Sequence, residues 1–131
     1  MNPVVHFEMP YRDAARAMRF YSEAFGWQLQ DLGPAMGHYV LATTAVTDVR
    51  PGAPAGAING GLFPCRPDWP AQHPAVVIGV EDLAAACARV QAAGGTVLGE
   101  PMRIPGVGDY VAFTDTEGNR HSLLQPVMGP A

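Results

Sequence analysis

The chain has 131 residues and a formal net charge of −4, and all eight of its basic residues are arginines. That length corresponds to one ordinary domain, which buries roughly 65–70% of its unfolded surface and so needs neither disulfides nor metal to fold. The arginines lie singly along the chain, which argues against a nucleic-acid partner. The two cysteines have no metal-binding spacing. With no leader-like segment and no apolar run of about 18 residues, we expect a cytoplasmic protein that does not span a membrane.

The first half of the chain predicts a β-α-β-β-β order. A β-rich run at Val4–Met9 is closed by Pro10, and Asp13 is placed to cap a helix that ends at Gly26. Apolar residues recur along this helix at three- and four-residue spacing and predict one buried face: Ala17, Phe20, Tyr21, Ala24 and Phe25. Three strands follow, the first two separated by a Gly33-Pro34 turn, at about Trp27–Leu32, His38–Thr43 and Ala57–Phe63.

The second half predicts the same order. A strand at Val76–Val80 precedes a helix at Asp82–Ala93, in which Cys87 is a small core residue, and Gly94-Gly95 ends that helix. Strands follow at Thr96–Gly99, Tyr110–Thr114 and Arg120–Gln125, the last two joined by a turn at residues 115–119. Two loops fall outside the pattern, Thr44–Gly56 and Pro64–Pro74.

The two halves align with each other without a gap. Shifting Val5–Leu29 by 69 positions lays it on Pro74–Leu98. Six pairs of identical residues then coincide, namely Asp13 with Asp82, Ala15 with Ala84, Ala17 with Ala86, Ala24 with Ala93, Gly26 with Gly95 and Leu29 with Leu98. This repeat predicts two pseudo-symmetric modules in one domain. Module one covers about residues 3–64, a connector about 65–74, and module two about 75–127. We expect the modules to form one domain, because half a chain of this size is marginal as a separate domain.

Three short motifs within this order carry a family resemblance. They are Phe20-Tyr21, Phe25-Gly26-Trp27 and the Asp115-x-Glu117-Gly118-Asn119 hairpin. Together they resemble the vicinal-oxygen-chelate superfamily of glyoxalases, bleomycin resistance proteins and extradiol dioxygenases, and within it the small bacterial glyoxalase-related proteins. The resemblance implies an α+β fold in which two βαβββ modules form one curled mixed sheet, a cup with helices outside. It also implies a homodimer.

The first strand has the polarity that such a cup requires. Its odd residues Val5, Phe7 and Met9 are apolar, whereas His6 and Glu8 are ionisable. Side chains alternate across a strand, so the apolar set is expected to face the helix and His6 with Glu8 the opposite, concave surface.

The resemblance implies a divalent metal held by residues of the first and last strands of each module. It places His6 at the first of these positions, and the repeat places Ala75 at the second. Aligning Ser122–Pro126 with Gly60–Pro64 makes the remaining positions Gly60 and Ser122. Alanine and glycine side chains offer no lone pair, and serine is a poor ligand for first-row metals. A complete metal site of the usual kind is therefore not expected.

Three other sources of ligands stay open. The last-strand register could slip by one residue and present Asn59 or His121, although a slip would turn the neighbouring leucines to the wrong face. Glu8 could join His6, or a partner subunit could contribute a group. Alternatively, His6 is a half-buried histidine that hydrogen-bonds to Glu8 or to backbone.

Two functional interpretations follow. The first is a glyoxalase-like or bleomycin-resistance-like protein that binds a small molecule in the cup, as a binding protein or a metal-independent enzyme. Its candidate ligand-binding residues are His6, Glu8, Trp69, Tyr110 and Ser122. The second is a divalent-metal-dependent lyase, isomerase or dioxygenase whose rearranged ligand set includes His6. The residue pattern favours the first, because two of the four metal positions have no donor atom.

Overall fold

A computed structural model describes residues 1–45, 57–69 and 72–127, which contain two α-helices and eight β-strands. Most of the predicted loop Thr44–Gly56 and two residues of the connector lie outside these ranges. The chain divides into two compact units, one formed by His6–Pro74 and the other by Met1–Val5 with the chain from Ala75 onward. Neither helix is long and apolar enough to cross a membrane.

The first unit contains one helix and a four-stranded arrangement in the order β2-β3-β4-β1. Strand β1 runs parallel to β4, and the other neighbours are antiparallel. A 3-10 turn at Pro34–Met36 follows β2, where the Gly33-Pro34 turn was predicted. The elements are β1 (Val4–Tyr11), α1 (Ala14–Phe25), β2 (Gln28–Asp31), β3 (Val40–Thr43) and β4 (Gly60–Pro64).

The second unit repeats that plan with the strand order β5-β8-β7-β6. Strand β5 is parallel to β8, while β8 with β7 and β7 with β6 are antiparallel. The elements are β5 (Ala75–Gly79), α2 (Leu83–Ala92), β6 (Thr96–Ile104), β7 (Gly108–Thr114) and β8 (Arg120–Pro126). The predicted α+β fold of two βαβββ modules is thereby confirmed.

Equivalent aspartates begin both helices, as the repeat predicts. The Asp13 carboxylate accepts a hydrogen bond from the Arg16 amide at 3.0 Å, and that of Asp82 accepts one from the Ala85 amide at 3.0 Å. Each bond satisfies an amide that has no partner inside the helix. Gly26 ends α1 in the left-handed conformation with φ 72°, which glycine adopts without a Cβ penalty.

Two strands are longer than the pattern predicted. Strand β1 continues through Pro10, because the Tyr11 carbonyl accepts a bond from the Cys65 amide at 2.8 Å on the β4 side. Alternate residues of a strand bond toward a given neighbour, so the missing proline N–H falls on the other side. Strand β6 continues past Gly99, where a register shift lies between Leu98 and Met102 and the glycine has φ 77°.

The core of the first unit lies between α1 and the strands. Its fully buried residues are Val40, Ala42 and Leu62, and the partly buried residues around them include Phe7, Met18, Tyr21 and Trp27. The Trp27 ring stacks on Tyr21 with centroids 4.8 Å apart and planes 9° apart. Trp27 is therefore packed, as expected for a residue just after a helix end.

The predicted buried face of α1 was wrong at three positions, since Phe20, Ala24 and Phe25 are all exposed. Phe20 and Phe25 keep 55% and 63% of their surface exposed. The helix contacts the core through Ala17, Met18 and Tyr21, and the Phe20 ring meets Tyr21 edge-on at 5.0 Å at the periphery. A stripe spanning five apolar positions is wider than the contact that a short helix makes with one sheet.

The core of the second unit is built from α2 and the strands behind it. Its buried residues come from α2, β7, β8 and the position that follows β5: Val80, Leu83, Ala86, Val111, Phe113 and Leu123. Cys87 packs against this cluster as the small apolar residue that was predicted.

Leu62 is 1% exposed at the centre of the first core. We expect Leu62→Ala to lower the free energy of unfolding by about 2–5 kcal/mol, because it removes buried methyl groups and leaves a cavity. Urea unfolding of the purified protein measures this change. The control is Leu41→Ala on the neighbouring strand, where the side chain is 37% exposed and a loss below about 1 kcal/mol is expected. Equal losses for the two variants would contradict this placement of the core.

Candidate functional site

The polar face of β1 carries a short chain of hydrogen bonds. Tyr39 Oη lies 2.9 Å from His6 Nε2 and donates to Glu8 Oε2 at 3.0 Å. All three side chains are half-buried, while Phe7 and Met9 on the opposite face of the strand pack in the core. The predicted alternation of β1 is therefore observed at residues 6–9, whereas Val5, which was also expected to face the helix, is 39% exposed and lies outside this core. The contact between His6 and Glu8 runs through a tyrosine hydroxyl. We call these three residues the His6–Tyr39–Glu8 chain.

The Tyr39 ring lies over a bare stretch of backbone. Strand registers place Gly61 opposite Glu8 on one side and opposite Leu41 on the other. A Cβ atom added to Gly61 would overlap the ring and the hydroxyl of Tyr39. The missing side chain is what lets the hydroxyl reach both His6 and Glu8.

Burial acts on the acid–base behaviour of His6. The ring sits in a half-buried position, and desolvation disfavours its charged form. The pKa of His6 is therefore lowered from its ordinary value of 6.5. Near neutral pH the imidazole is uncharged, so it offers one N–H and one lone pair.

The second unit has its own tyrosine cluster. Ser122 Oγ donates to Tyr110 Oη at 2.6 Å, and Ser122 is 5% exposed. Leu123 and Val111, which directly follow Ser122 and Tyr110 in the sequence, belong to the core against α2. Alternation therefore puts Ser122 and Tyr110 on the strand face away from the helix. The sequence-predicted residues Tyr110 and Ser122 are thus brought into direct contact.

The strand registers show that these tyrosines are equivalent. Gly61 pairs with Leu41 as Ser122 pairs with Ala112. Tyr39 lies two residues before Leu41, just ahead of β3, and Tyr110 lies two residues before Ala112 on β7. Tyr39 was missed in the sequence, although the signal exists. The segments HYVLAT at 38–43 and DYVAFT at 109–114 share a Tyr-Val-x-x-Thr pattern at an offset of 71 residues. A search at the single offset of 69 does not detect it.

The same registers correct the predicted last-strand position of module one. Glu8 pairs with Gly61 and Val77 pairs with Ser122, and Val77 is Glu8 shifted by 69. The counterpart of Ser122 is therefore Gly61, one residue beyond the predicted Gly60. Gly60 faces the core, since a Cβ there would overlap the Phe7 ring. The resemblance implies a metal-ligating side chain at this position of the last strand, and neither glycine provides one.

The alternative ligands from a register slip are directed elsewhere. His121 pairs with Phe113, its ring lies 6.1 Å from the Phe113 ring, and its Nδ1 accepts from the Val76 amide at 3.1 Å. It is on the helix-facing side of β8, opposite to Ser122. The Asn59 side-chain oxygen accepts from the amides of Thr44 and Ala45 at 2.8 and 3.0 Å. Asn59 thus ties two chain segments together.

Trp69 lies in the connector and is half exposed. The Arg66 guanidinium sits over its ring, 5.2 Å from the centroid. The Gln72 side chain donates to the Trp69 carbonyl at 2.9 Å and accepts from the Arg66 amide at 2.6 Å. These contacts order the turn around Trp69, and its role in ligand binding stays a prediction.

The metal positions implied by the resemblance do not form a donor set. His6 has an imidazole, Gly61 and Ala75 have no donor, and the Ser122 hydroxyl is bonded to Tyr110. In the described part of the chain, no three His, Cys, Asp or Glu side chains are grouped so as to hold a metal ion. The residues present therefore do not fit the metal site of the superfamily.

Gly61→Val is expected to displace Tyr39, because a side chain at this position overlaps the ring. We expect a loss of about 1–3 kcal/mol in the free energy of unfolding, as for other substitutions that overpack a filled space. A double-mutant cycle with Tyr39→Ala measures the coupling. The valine should cost much less once the ring is removed. An unchanged cost would show that Tyr39 does not lie over Gly61.

Stability is expected to depend on pH through His6. Its pKa is lowered in the folded protein, so the unfolded chain binds more protons as the pH falls below 6.5. The contribution of His6 to the free energy of unfolding should therefore be constant above about pH 7 and decrease as the pH falls through the unfolded-state pKa of 6.5. His6→Gln should flatten that slope in urea titrations at several pH values. An identical slope in both proteins would show that His6 is not desolvated.

The comparisons with known proteins agree with this architecture. A family model described as the Glyoxalase/Bleomycin resistance protein/Dioxygenase superfamily matches residues 4–123. The chain is 33% identical over 121 residues to a glyoxylase-like domain-containing protein of Didymella fabae, covering 88% of each chain. It is 29% identical over 125 residues to a probable lactoylglutathione lyase of Vibrio parahaemolyticus, covering 93% of this chain and 89% of the relative.

A solved structure shares the fold at lower sequence identity. The methylmalonyl-CoA epimerase of Mycobacterium tuberculosis superposes with a TM-score of 0.67 at 20% identity, over 95% of this chain and 88% of that one. The family-model match covers both βαβββ modules. This chain belongs to the glyoxalase/bleomycin resistance protein/dioxygenase superfamily, as the resemblance in its sequence indicated.

Proposed function

We propose that this protein binds a small molecule on the strand face of module one that carries the His6–Tyr39–Glu8 chain, without the complete divalent-metal site of its superfamily. The supporting observation is that one hydroxyl, Tyr39 Oη, lies within hydrogen-bond distance of both His6 Nε2 and Glu8 Oε2. The Nε2 atom of His6 is thereby engaged by the protein itself. Family membership supports a small molecule as the partner.

The chemistry of this face suits a polar ligand. Half-buried donors and acceptors act more strongly than exposed ones, because water competes less for them. Small-molecule sites typically combine a few such groups with apolar surroundings. We also propose Tyr110 and Ser122, the equivalent cluster of module two, as ligand contacts, together with Trp69. A homodimer and a cytoplasmic location, expected from the sequence, are retained as proposals.

A second function is retained because His6 and Glu8 hydrogen-bond to the same oxygen atom. Imidazole and carboxylate are common ligands of divalent metals. A rearranged set including His6 would then support a lyase, isomerase or dioxygenase. A relative named lactoylglutathione lyase and a structural neighbour named methylmalonyl-CoA epimerase are consistent with enzyme activity.

A ligand panel followed by thermal shift tests the first function. S-lactoylglutathione and methylmalonyl-CoA belong in the panel, as the compounds in the names of similar proteins. We expect at least one ligand to stabilise the protein. His6→Ala or Glu8→Ala should lower the affinity for that ligand about tenfold or more, because each variant loses one hydrogen bond to a charged or polar group. His73→Ala, at an exposed connector histidine, is the matched control and should bind normally. Indifference to both site substitutions would exclude this face as the binding site.

Elemental analysis of protein purified without chelator decides between the two functions. Titration with nickel, manganese, iron(II) and zinc follows. The first function predicts that the protein retains less than one metal ion per chain. It also predicts that a chelator does not change ligand binding. Near-stoichiometric metal that His6→Ala abolishes would instead establish the second function.

A further inference from the structure

We propose that Tyr39 fixes His6 in the tautomer that carries its proton on Nε2, so that Nδ1 is the hydrogen-bond acceptor offered to the ligand. The site would then take a molecule that presents an N–H, O–H or polarised C–H group to His6. This inference rests on the proposed function and assigns its ligand class. Tyr39 is in this sense a positioning residue, since it acts through His6.

A count of hydrogens along the His6–Tyr39–Glu8 chain leads to this tautomer. A tyrosine hydroxyl has one hydrogen, and Tyr39 donates it to Glu8 Oε2. In that bond Glu8 Oε2 is the acceptor. Toward His6 the same oxygen therefore acts as an acceptor, and the 2.9 Å contact requires that Nε2 supply the hydrogen. The direction of one hydrogen bond thus determines the direction of the next.

The opposite nitrogen of His6 is left with the lone pair. Burial lowers the pKa of His6, and a neutral imidazole carries its hydrogen on one nitrogen alone. Among the described residues, the contacts of His6 are the hydrogen bond to Tyr39 and a ring contact with Phe7 at 6.4 Å. Within that part of the chain, no side chain or backbone group bonds to Nδ1. A donor group on the ligand would supply a partner for this atom.

Module two shows that the acceptor is specific to module one. The equivalent tyrosine, Tyr110, accepts a hydrogen bond from Ser122 Oγ at 2.6 Å. The position equivalent to His6 is Ala75, which has no imidazole to orient. The tyrosine is thus common to both modules, whereas the oriented histidine occurs once. Any acceptor role belongs to His6.

The charge distribution of the His6–Tyr39–Glu8 chain restricts which ligand groups can approach His6. The Glu8 carboxylate and a lone pair on Nδ1 both present negative potential to a group that approaches His6. An anionic group at this point would be repelled, and a donor would be attracted. The group that contacts His6 is therefore expected to be a neutral or positively charged donor.

The tautomer is measured without any ligand. Long-range ¹H–¹⁵N correlation spectra distinguish a protonated ring nitrogen from one with a lone pair, and His6→Gln identifies the His6 signals among the four histidines. We expect the Nε2–H form in the wild-type protein near neutral pH. A wild-type spectrum with the hydrogen on Nδ1 would overturn the proposal.

Two variants test the role of Tyr39. Tyr39→Phe removes a single oxygen and should release His6 into a mixture of tautomers. Glu8→Leu should free the Tyr39 hydrogen to turn toward His6 and so increase the Nδ1–H form. The equivalent tyrosine of module two supplies the control, since Tyr110→Phe should leave the His6 spectrum unchanged. An unchanged His6 spectrum in Tyr39→Phe, with far-UV circular dichroism as in the wild type, would overturn the positioning role.

A pair of small probes tests the ligand class. N-methylacetamide has one N–H donor, and N,N-dimethylacetamide has the same carbonyl without it. At matched concentrations the first should shift the Nδ1 resonance of His6 and the second should not. Equal responses would refute the donor class. The tautomer result stands apart from the ligand panel, so a panel without hits would refute the proposed function and leave the tautomer assignment intact.

Discussion

Module one depends on the close approach of two aromatic rings to opposite faces of adjacent glycines. Phe7 lies against Gly60 on the core side, and Tyr39 lies over Gly61 on the polar side. A side chain on either glycine would overlap a ring. Because both residues lack a side chain, β4 allows the Phe7 ring to pack closely on one face and the hydrogen-bonded Tyr39 ring on the other. The core and the candidate site therefore share one backbone constraint.

The fold was predictable because it repeats local signals. Helix caps at Asp13 and Asp82, a glycine at the end of α1 and alternation along β1 each act over a few residues. Such signals depend on backbone geometry and on water exposure, which a sequence reports directly. Their recurrence at a fixed offset then indicates the module order. The width of the buried face of α1 was less predictable. Phe20 and Phe25 stay exposed because the contact between the helix and the core is too narrow to include them.

The candidate site was predictable only in part. His6 and Glu8 follow from strand parity, and Tyr110 with Ser122 were named for their chemistry. Tyr39 was missed because its role depends on the register between β3 and β4, a long-range property. The same register moves the last-strand position from Gly60 to Gly61. A one-residue error of this kind exchanges the two faces of a strand, so a sequence alignment without pairing information does not resolve it.

The grouping of residues 1–5 with the second unit affects how the chain can be divided. The Pro3 carbonyl accepts a hydrogen bond from the Gly79 amide at 2.9 Å, and Val5 contacts Gly79. A peptide that begins at Ala75 therefore lacks a segment of its own compact unit, while one that ends at Pro74 carries that segment without its partner. Cleavage in the connector does not yield two self-contained halves. The second unit is therefore noncontiguous in sequence, because residues 1–5 belong to it although the whole of the first unit lies between them and Ala75.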